Sequence, residues 1–163
     1  MSSIDVETIV NEIVEDIKHQ MASRGYRAAN ELRNAAVDDV LKGSRGGRRY
    51  VVPGTGRRKR GKKGKPGRVT YTYYTASAPG EPPAVRTGTF RRNWNKEVKI
   101  TGGGDGYAVN SAITSNTKTS NGKYTLGELL EEGTSRMAPR PYQEKIQEKS
   151  LDKIVKIYSE PYF

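Results

Sequence analysis

The chain has 163 residues, which is enough for one domain with a modest core and too few for two. Only 33% of the residues are hydrophobic, so we expect long exposed segments or surface that is buried against neighbours. The absence of cysteine excludes disulfides and cysteine-based metal sites. No apolar run approaches the roughly 20 residues of a membrane span, and the acidic start MSSIDVETIV does not resemble a secretory signal. We therefore expect assembly in the cytosol, without a membrane.

The net charge of +11 is concentrated in one place. Residues 1–41 carry eight acids and four bases, whereas residues 42–68 carry twelve Lys or Arg and no acid. Such a block attracts phosphates or an acidic protein surface; alternatively, it is a solvated loop that repels itself. We name residues 42–68 the basic arm. Its residues expected to contact a partner or DNA are Arg45, Arg48, Arg49, Arg57, Arg58, Lys59, Arg60, Lys62, Lys63 and Lys65.

The chain begins and ends with helical patterns. Apolar residues near the start recur at helical spacing: Val6, Ile9, Val10, Ile13, Val14 and Ile17. Gly25 is expected to interrupt or kink this helix, which then resumes as far as Leu41 and stops at Gly43. The amphipathic segment Gln143 to Tyr158 predicts a last helix.

The middle of the chain predicts strands. Arg68 to Ala76 is rich in Thr and Tyr, and Tyr50 to Val52 could pair with it, which would make the basic arm a long hairpin. Trp94 to Ile100 and Tyr107 to Ile113 predict two strands around a glycine-rich turn, and Tyr124 to Glu132 is ambiguous between helix and strand. We expect an α+β domain spanning 1–163, in which an antiparallel sheet of about four strands packs against a long N-terminal helix and a C-terminal helix.

Catalytic patterns are lacking. His19 has no second histidine or cysteine with which to share a metal, and no nucleophile is marked beside it. GGGDG at 102–106 lacks the Gly-Lys-Ser/Thr ending of a phosphate loop and is better explained as a turn. We expect no enzyme, no cofactor and no metal. The tyrosines at 50, 71, 73 and 74, beside the basic arm, could stack on bases or pack a sheet face.

Two motifs, APGEPPAVRTGTFRRNW at 78–94 and LLEEGTSRMAPRPY at 129–142, resemble the tail-component family typified by the tenth gene product of the Hong Kong 97 phage. That family has Pro-Gly-x-Pro-Pro leading into Arg-Thr-Gly-x-Leu-Arg, and later Glu-aromatic-Gly-Thr leading into Pro-x-Arg-Pro-Phe. Here Phe90 replaces the leucine, Glu132 the aromatic and Tyr142 the phenylalanine. The order and spacing of the motifs and the N-terminal helix agree with the resemblance, which covers about residues 1–160.

The resemblance implies a structural subunit of the phage virion that forms a ring, a hexamer or a dodecamer, and joins the DNA-filled head to the tail. Its implied partners are the adjacent head-closure or connector protein, a tail-terminator or tail-tube protein, and the channel DNA. Stiff prolines and bidentate arginines suit an interface, although both motifs could also be turns within one chain. The expected interface residues are Pro79, Gly80, Pro82, Pro83, Arg86, Thr87, Gly88, Phe90, Arg91, Arg92, Gly133, Thr134, Arg136, Pro139, Arg140, Pro141 and Tyr142.

Two alternatives remain open at this point. One is a tail-terminator ring of the same junction, because ring subunits of this kind share α+β folds and partners. The other is a small basic RNA-binding protein of ribosomal type, which the composition and the basic arm would fit but the two motifs would not. For the basic arm itself we expect projection from the body and order imposed by an acidic protein ring or by DNA.

Overall fold

The computed structural model describes residues 6–43, 45–59, 61, 67–103 and 106–162. The fold is α+β, as the sequence predicts. The helices are α1 Val6–Asn34, which continues into a π-helical segment Ala35–Val40, then α2 Thr89–Arg92, α3 Leu126–Glu132 and α4 Gln143–Tyr158. The strands are β1 Arg49–Val51, β2 Arg57–Arg58, β3 Val69–Thr70, β4 Tyr73–Thr75, β5 Asn95–Gly103 and β6 Gly106–Thr114.

Helix α1 passes through Gly25 without a break, so the expected interruption there is wrong. Gly25 is buried, and a β-carbon at this position would lie 2.6 Å from Val98 Cγ1 and 2.7 Å from Val109 Cγ1. Ser111 Oγ also donates a hydrogen bond to the Gly25 carbonyl at 3.0 Å. Glycine is therefore present because the helix backbone rests directly on β5 and β6, and the loss of helix propensity is offset by this close packing.

The described strands form three separate two-stranded antiparallel ribbons, β1–β4, β2–β3 and β5–β6, and the expected single sheet of about four strands is not seen. In the longest ribbon Asn95 pairs with Thr114 and Gly103 with Gly106. Residues 77–83, which we name the proline loop, and α2 lie between β4 and β5 in the chain. The ribbons β1–β4 and β2–β3, which we name the arm ribbons, share no edge with β5–β6. Helix α1 packs on β5–β6, whereas the residues of β1 and β2 are all exposed.

The core lies where the end of α1 and the π-helical segment meet β5–β6 and α4. Its buried residues are Ala35, Ala36, Val40, Leu41, Trp94, Tyr142 and Ile146. Alanines on the helical side let its backbone come close to the larger side chains opposite. In α4 the residues Ile146, Ser150 and Ile157 form the buried face, whereas Leu151 and Val155 are exposed.

The C-terminal residues are fastened to the middle of α1 by two arginines. Arg24, 5% exposed, donates to the backbone oxygens of Glu160 and Pro161 at 2.5 and 2.6 Å, and its guanidinium lies 3.8 Å from the centre of the Tyr162 ring. Arg27 makes a two-point ion pair with the Glu160 carboxylate at 2.5 and 2.6 Å. A buried guanidinium that satisfies two carbonyls fixes the end of the chain beside the helix.

The close packing at Gly25 gives a stability test. We expect Gly25→Val to lower the free energy of unfolding by about 1–3 kcal/mol, because the added methyls overlap two β-branched side chains that have little freedom to move. Ser23→Val is the matched control, since Ser23 is exposed on the same helix and should change stability by no more than about 0.5 kcal/mol. Urea denaturation measures both, and equal effects would contradict the packing described here.

Candidate functional site

The two motifs lie against each other in the structure, although more than 30 residues separate them in the sequence. Gly80 N donates to the Pro139 carbonyl at 3.2 Å, which joins the proline loop of the first motif to the end of the second. Lys145 Nζ, in the first turns of α4, donates to the Gly80 carbonyl at 3.1 Å. Because both Gly80 backbone groups are bound to the second motif and to α4, the two motifs form one structural unit.

Three aromatic rings form the centre of this unit. Phe90 and Trp94 come from the first motif and Tyr142 from the second, with ring centres 5.4 to 6.0 Å apart and all three pairs edge-on. This is the preferred arrangement of aromatic pairs. Tyr142 is 3% exposed, and this burial raises the pKa of its phenol. Gly127 lies against the cluster, since a β-carbon there would be 2.8 Å from the Tyr142 hydroxyl.

The second motif folds as a tight turn between α3 and α4. Gly133 ends α3 with a φ of +78°, a left-handed conformation that favours glycine. Thr134 N then donates a hydrogen bond to Met137 O at 2.8 Å, and Arg140 N donates one to Leu130 O at 2.8 Å. The backbone directions of the prolines around Arg140 are therefore set by hydrogen bonds within the chain.

Glu131 connects this turn to the start of α4. Its Oε2 accepts hydrogen bonds from Tyr142 N at 3.0 Å and Gln143 N at 3.4 Å. The first N–H groups of a helix lack partners within the helix, and a carboxylate at that end also suits the helix dipole. Glu131 thus holds the beginning of α4 and the buried Tyr142 in place.

The first motif is fastened to the root of the basic arm by Glu81. The Glu81 carboxylate accepts two hydrogen bonds from Gly46 N, at 2.9 and 3.1 Å, and one from Ala78 N at 2.8 Å. These backbone donors, with Arg45 and Lys145 nearby, lower the pKa of Glu81. Arg45 donates to the carbonyls of Val40 at 2.6 Å and Pro83 at 3.3 Å. We name residues 45 and 46 the arm root. Glu81 and Arg45 therefore hold the arm root against the proline loop.

The expected interface residues divide by exposure. Pro83 and Tyr142 are buried within the chain. Partly buried members are Pro82, Gly88, Phe90, Arg91, Gly133, Arg140 and Pro141. Exposed members are Pro79, Gly80, Arg86, Thr87, Arg92, Thr134, Arg136 and Pro139. The buried members support the alternative that parts of both motifs hold one chain together, and the exposed members stay available to a partner.

Arg91 acts within its own chain. Its Nε donates to Val37 O at 2.7 Å, and its guanidinium lies 3.5 Å from the Asp38 carboxylate. This contact joins α2 to the π-helical segment. We therefore assign Arg91 to the fold, and we name the exposed arginines of the two motifs, Arg86, Arg92 and Arg136, the motif arginines.

The described residues of the basic arm contribute β1 and β2 to the arm ribbons, and two of their arginines lie over tyrosines. The Arg49 guanidinium lies 4.4 Å from the centre of the Tyr73 ring, and that of Arg48 lies 5.9 Å from Tyr50. Tyr50 and Tyr74 stack across β1 and β4 at 5.8 Å. Arg57, Arg58 and Lys59 are exposed, and Arg45 is bound to its own subunit. The predicted contacts Arg60, Lys62, Lys63 and Lys65 lie outside the described residues.

A surface cavity of about 480 Å³ lies beside the aromatic cluster, lined among others by Trp94, Ile113 and Gln143. Trp94 Nε1 is buried and has no acceptor among the described residues. Those residues also contain no group of three or more metal-ligating side chains, and none of their helices is long and apolar enough to cross a membrane. His19 is exposed on α1.

Sequence reasoning did not single out Glu81, Trp94 or Glu131. An acid before a proline and an acid twelve residues before a helix carry no local pattern that marks them, because their partners are backbone amides defined only by the fold. Comparison with known proteins adds no relative: no protein-family model, no curated protein and no solved structure matches this chain.

The carboxylate at Glu81 should control the arm root. We expect Glu81→Gln to speed amide hydrogen exchange at Gly46 and Ala78, because the charge-assisted bonds are lost while the side-chain shape is kept. In the native chain the pKa of Glu81 is lowered, so this protection is present above the ordinary glutamate pKa of about 4.3 and is lost as the pH falls through the lowered value.

Glu148→Gln, at an exposed site on α4, serves as the control and should leave exchange at both amides unchanged. Unaltered exchange in Glu81→Gln would mean that other contacts hold the arm root.

Proposed function

We propose that this protein is a structural subunit of the head–tail junction of a tailed bacteriophage, where a ring of copies joins the DNA-filled head to the tail. The proposal rests on the resemblance of residues 78–94 and 129–142 to the tail-component family. In this role the chain performs no bond chemistry, and its residues serve to bind neighbouring copies and the adjacent proteins of the junction.

One observation supports the proposal most strongly. The two motifs that carry the resemblance fold into one unit, joined by the contact between Gly80 and Pro139 and by the ring pair of Phe90 and Tyr142. A functional surface made of two distant segments needs such a unit. The motif arginines lie exposed around it, and arginine is suited to paired contacts with carboxylates of another subunit.

The distribution of apolar side chains supports assembly. Large apolar residues are exposed on α1 and on the strands β1 and β4, including Val6, Val10, Tyr50 and Tyr73. Val6 and Val10 lie one helical turn apart, and Tyr50 and Tyr73 lie on paired strands, so each pair can form part of an interaction surface. A chain with 33% hydrophobic residues and a core confined to one region gains stability from neighbours. Within the junction we place the chain as a neck or tail-completion ring, with the tail terminator as the alternative position.

Binding to nucleic acid is the second candidate function, and the arm ribbons favour it. Arginines over tyrosines on an exposed basic ribbon offer phosphates a positive charge and bases a stacking surface. Monomeric protein should then bind single-stranded RNA or DNA with an affinity that falls steeply as salt rises. Fluorescence anisotropy at several salt concentrations distinguishes this candidate from the junction subunit.

The motif arginines give the test of the proposed function. We expect Arg86→Glu, in phage carrying this change, to yield DNA-filled heads and unattached tails, because a carboxylate on the partner would now be repelled. The isolated variant should keep its circular dichroism spectrum and melting temperature, since Arg86 is exposed. Electron microscopy of lysates measures the joining of heads and tails.

Lys123→Glu makes the same charge change in an exposed loop outside both motifs and should assemble normally. Arg91→Glu should instead lower thermal stability, because it breaks the contacts with Val37 and Asp38. Infectious particles that lack this chain, or that contain a single copy of it, would refute the ring proposal.

A further inference from the structure

The first twelve described residues of α1 form a helical extension with an apolar stripe. Lys18 Nζ lies 5.1 Å from the Tyr107 ring, close to the tip of the β5–β6 ribbon, and the helix N-terminal to this contact is almost entirely exposed. Val6 is 68% exposed, Val10 51% and Ile13 45%. Their spacing of four and then three residues places them on one face, as in a helix that packs against a partner.

Acids line this stripe. Residues 6–17 carry four acids and no base. On a helical wheel Glu12 and Asp16 lie along one border of the apolar stripe, and both are exposed. Glu15, on the far side, is bound to Lys18 at 2.6 Å. We name residues 6–17 the acidic helix; it is about 18 Å long at 1.5 Å per residue.

The arm ribbons have the complementary character. Residues 45–59 carry six bases and no acid. Tyr50, Val51 and Tyr73 are each more than 40% exposed on β1 and β4, with exposed arginines beside them. In an isolated two-stranded ribbon both faces are open, so an apolar and basic surface is available to an apolar and acidic one.

These two surfaces lie at opposite ends of the same long helix. From the middle of the acidic helix to the arm root beyond Val40 is roughly 40 Å along α1, at the rise of an α-helix. Glu81 and Arg45 fix the arm root to the proline loop. The acidic helix and the arm root are therefore separated along α1, and a head-to-tail arrangement of two copies would bring the two surfaces together.

We propose that the arm ribbons of one copy bind the acidic helix of the next copy. Val6, Val10 and Ile13 would pack on the tyrosines of β1 and β4, while Glu12 and Asp16 pair with arginines of the ribbon. Because the two surfaces differ, the contact is heterologous, and its repetition closes a ring or extends a filament. This inference rests on the proposed ring, for which it names the contact between neighbours.

Charge reversal on each surface tests the contact. Glu12→Lys with Asp16→Lys places two positive charges beside the apolar stripe, and Arg57→Glu with Arg58→Glu places two negative charges on β2 of the arm ribbons. Each double variant alone should associate about tenfold or more weakly than the native chain at low salt, since like charges then face each other. An equimolar mixture should recover association, because each variant's reversed surface now fits the other's reversed surface. Sedimentation velocity and native mass spectrometry measure the assemblies.

Two matched controls reverse charges elsewhere. Glu148→Lys with Asp152→Lys repeats the four-residue spacing on the exposed face of α4, and Lys118→Glu with Lys123→Glu reverses two exposed loop lysines. Both should associate like the native chain. Circular dichroism checks that every variant is folded.

Cysteine cross-linking identifies the paired surfaces directly, because the chain contains no cysteine. Ile13→Cys combined with Val51→Cys should give disulfide-linked dimers and longer ladders under mild oxidation, which requires Cα atoms within about 7 Å. Ile13→Cys alone should give none. Dimers from Ile13→Cys alone would show that acidic helices pair with each other, and this would overturn the proposal.

The remaining outcomes also support or overturn the proposed contact. A native chain that stays monomeric at its highest soluble concentration in low salt overturns the proposal, as does an arm reversal that abolishes only nucleic-acid binding. If phage particles contain a hexameric ring and both charge reversals leave it intact, the proposed contact is wrong but the proposed function holds. Recovery in the mixture, with the chain absent from phage particles, supports the contact and removes the proposed function.

Discussion

The fold depends on the edge-on contacts of Phe90, Trp94 and Tyr142. These rings join two segments that are distant in the sequence, and they pack against the alanines of the π-helical segment. Aromatic side chains contribute the largest apolar area per residue, so a short polar chain can build a core from a few of them. The π-helical segment that continues α1 packs against this cluster, β5 begins directly after Trp94, and α4 begins directly after Tyr142.

The core cluster covers only part of the chain, and this has a consequence for the rest. Among the described residues, Val6, Val10 and Ile13 at the start of α1 and Tyr50, Val51 and Tyr73 of the arm ribbons are exposed. Isolated two-stranded ribbons are marginal in water, and helical segments of this length gain most of their stability from packing. The exposed tyrosines and valines are therefore the surface that the proposed contact between copies would bury.

The sequence predicted what is local and periodic. The last helix, the β5 and β6 strands and the pairing of Tyr50 with the 68–76 segment all follow from spacing and propensity, and the structure confirms them. Gly25 was misjudged because propensity records a glycine in a helix as a break, whereas here Val98 and Val109 occupy the space of its side chain. The single sheet was wrong because strand propensity does not determine which ribbons share an edge.

Of the candidate site, the sequence could identify the two segments but not which of their residues face inward. Arg86 and Arg91 both belong to the first motif, and nothing in the sequence distinguishes their roles. Only the fold shows that Arg91 contacts Val37 and Asp38 while Arg86 is exposed. Partners such as these are backbone or side-chain atoms more than 50 residues away. A motif therefore limits where a function resides, and the packing around it decides which residues are free to perform it.

The arrangement of charge adds a constraint that neither composition nor motif carries. Acids gather at the start of α1 and bases just after its end, so one rigid helix separates them by roughly 40 Å. Opposite charges on a single flexible chain would collapse onto each other, but a continuous helix fastened to β5–β6 prevents this. The continuity of α1 through Gly25 thus has a role beyond packing. It keeps the acidic helix and the arm root apart within the chain, as the proposed contact between copies requires.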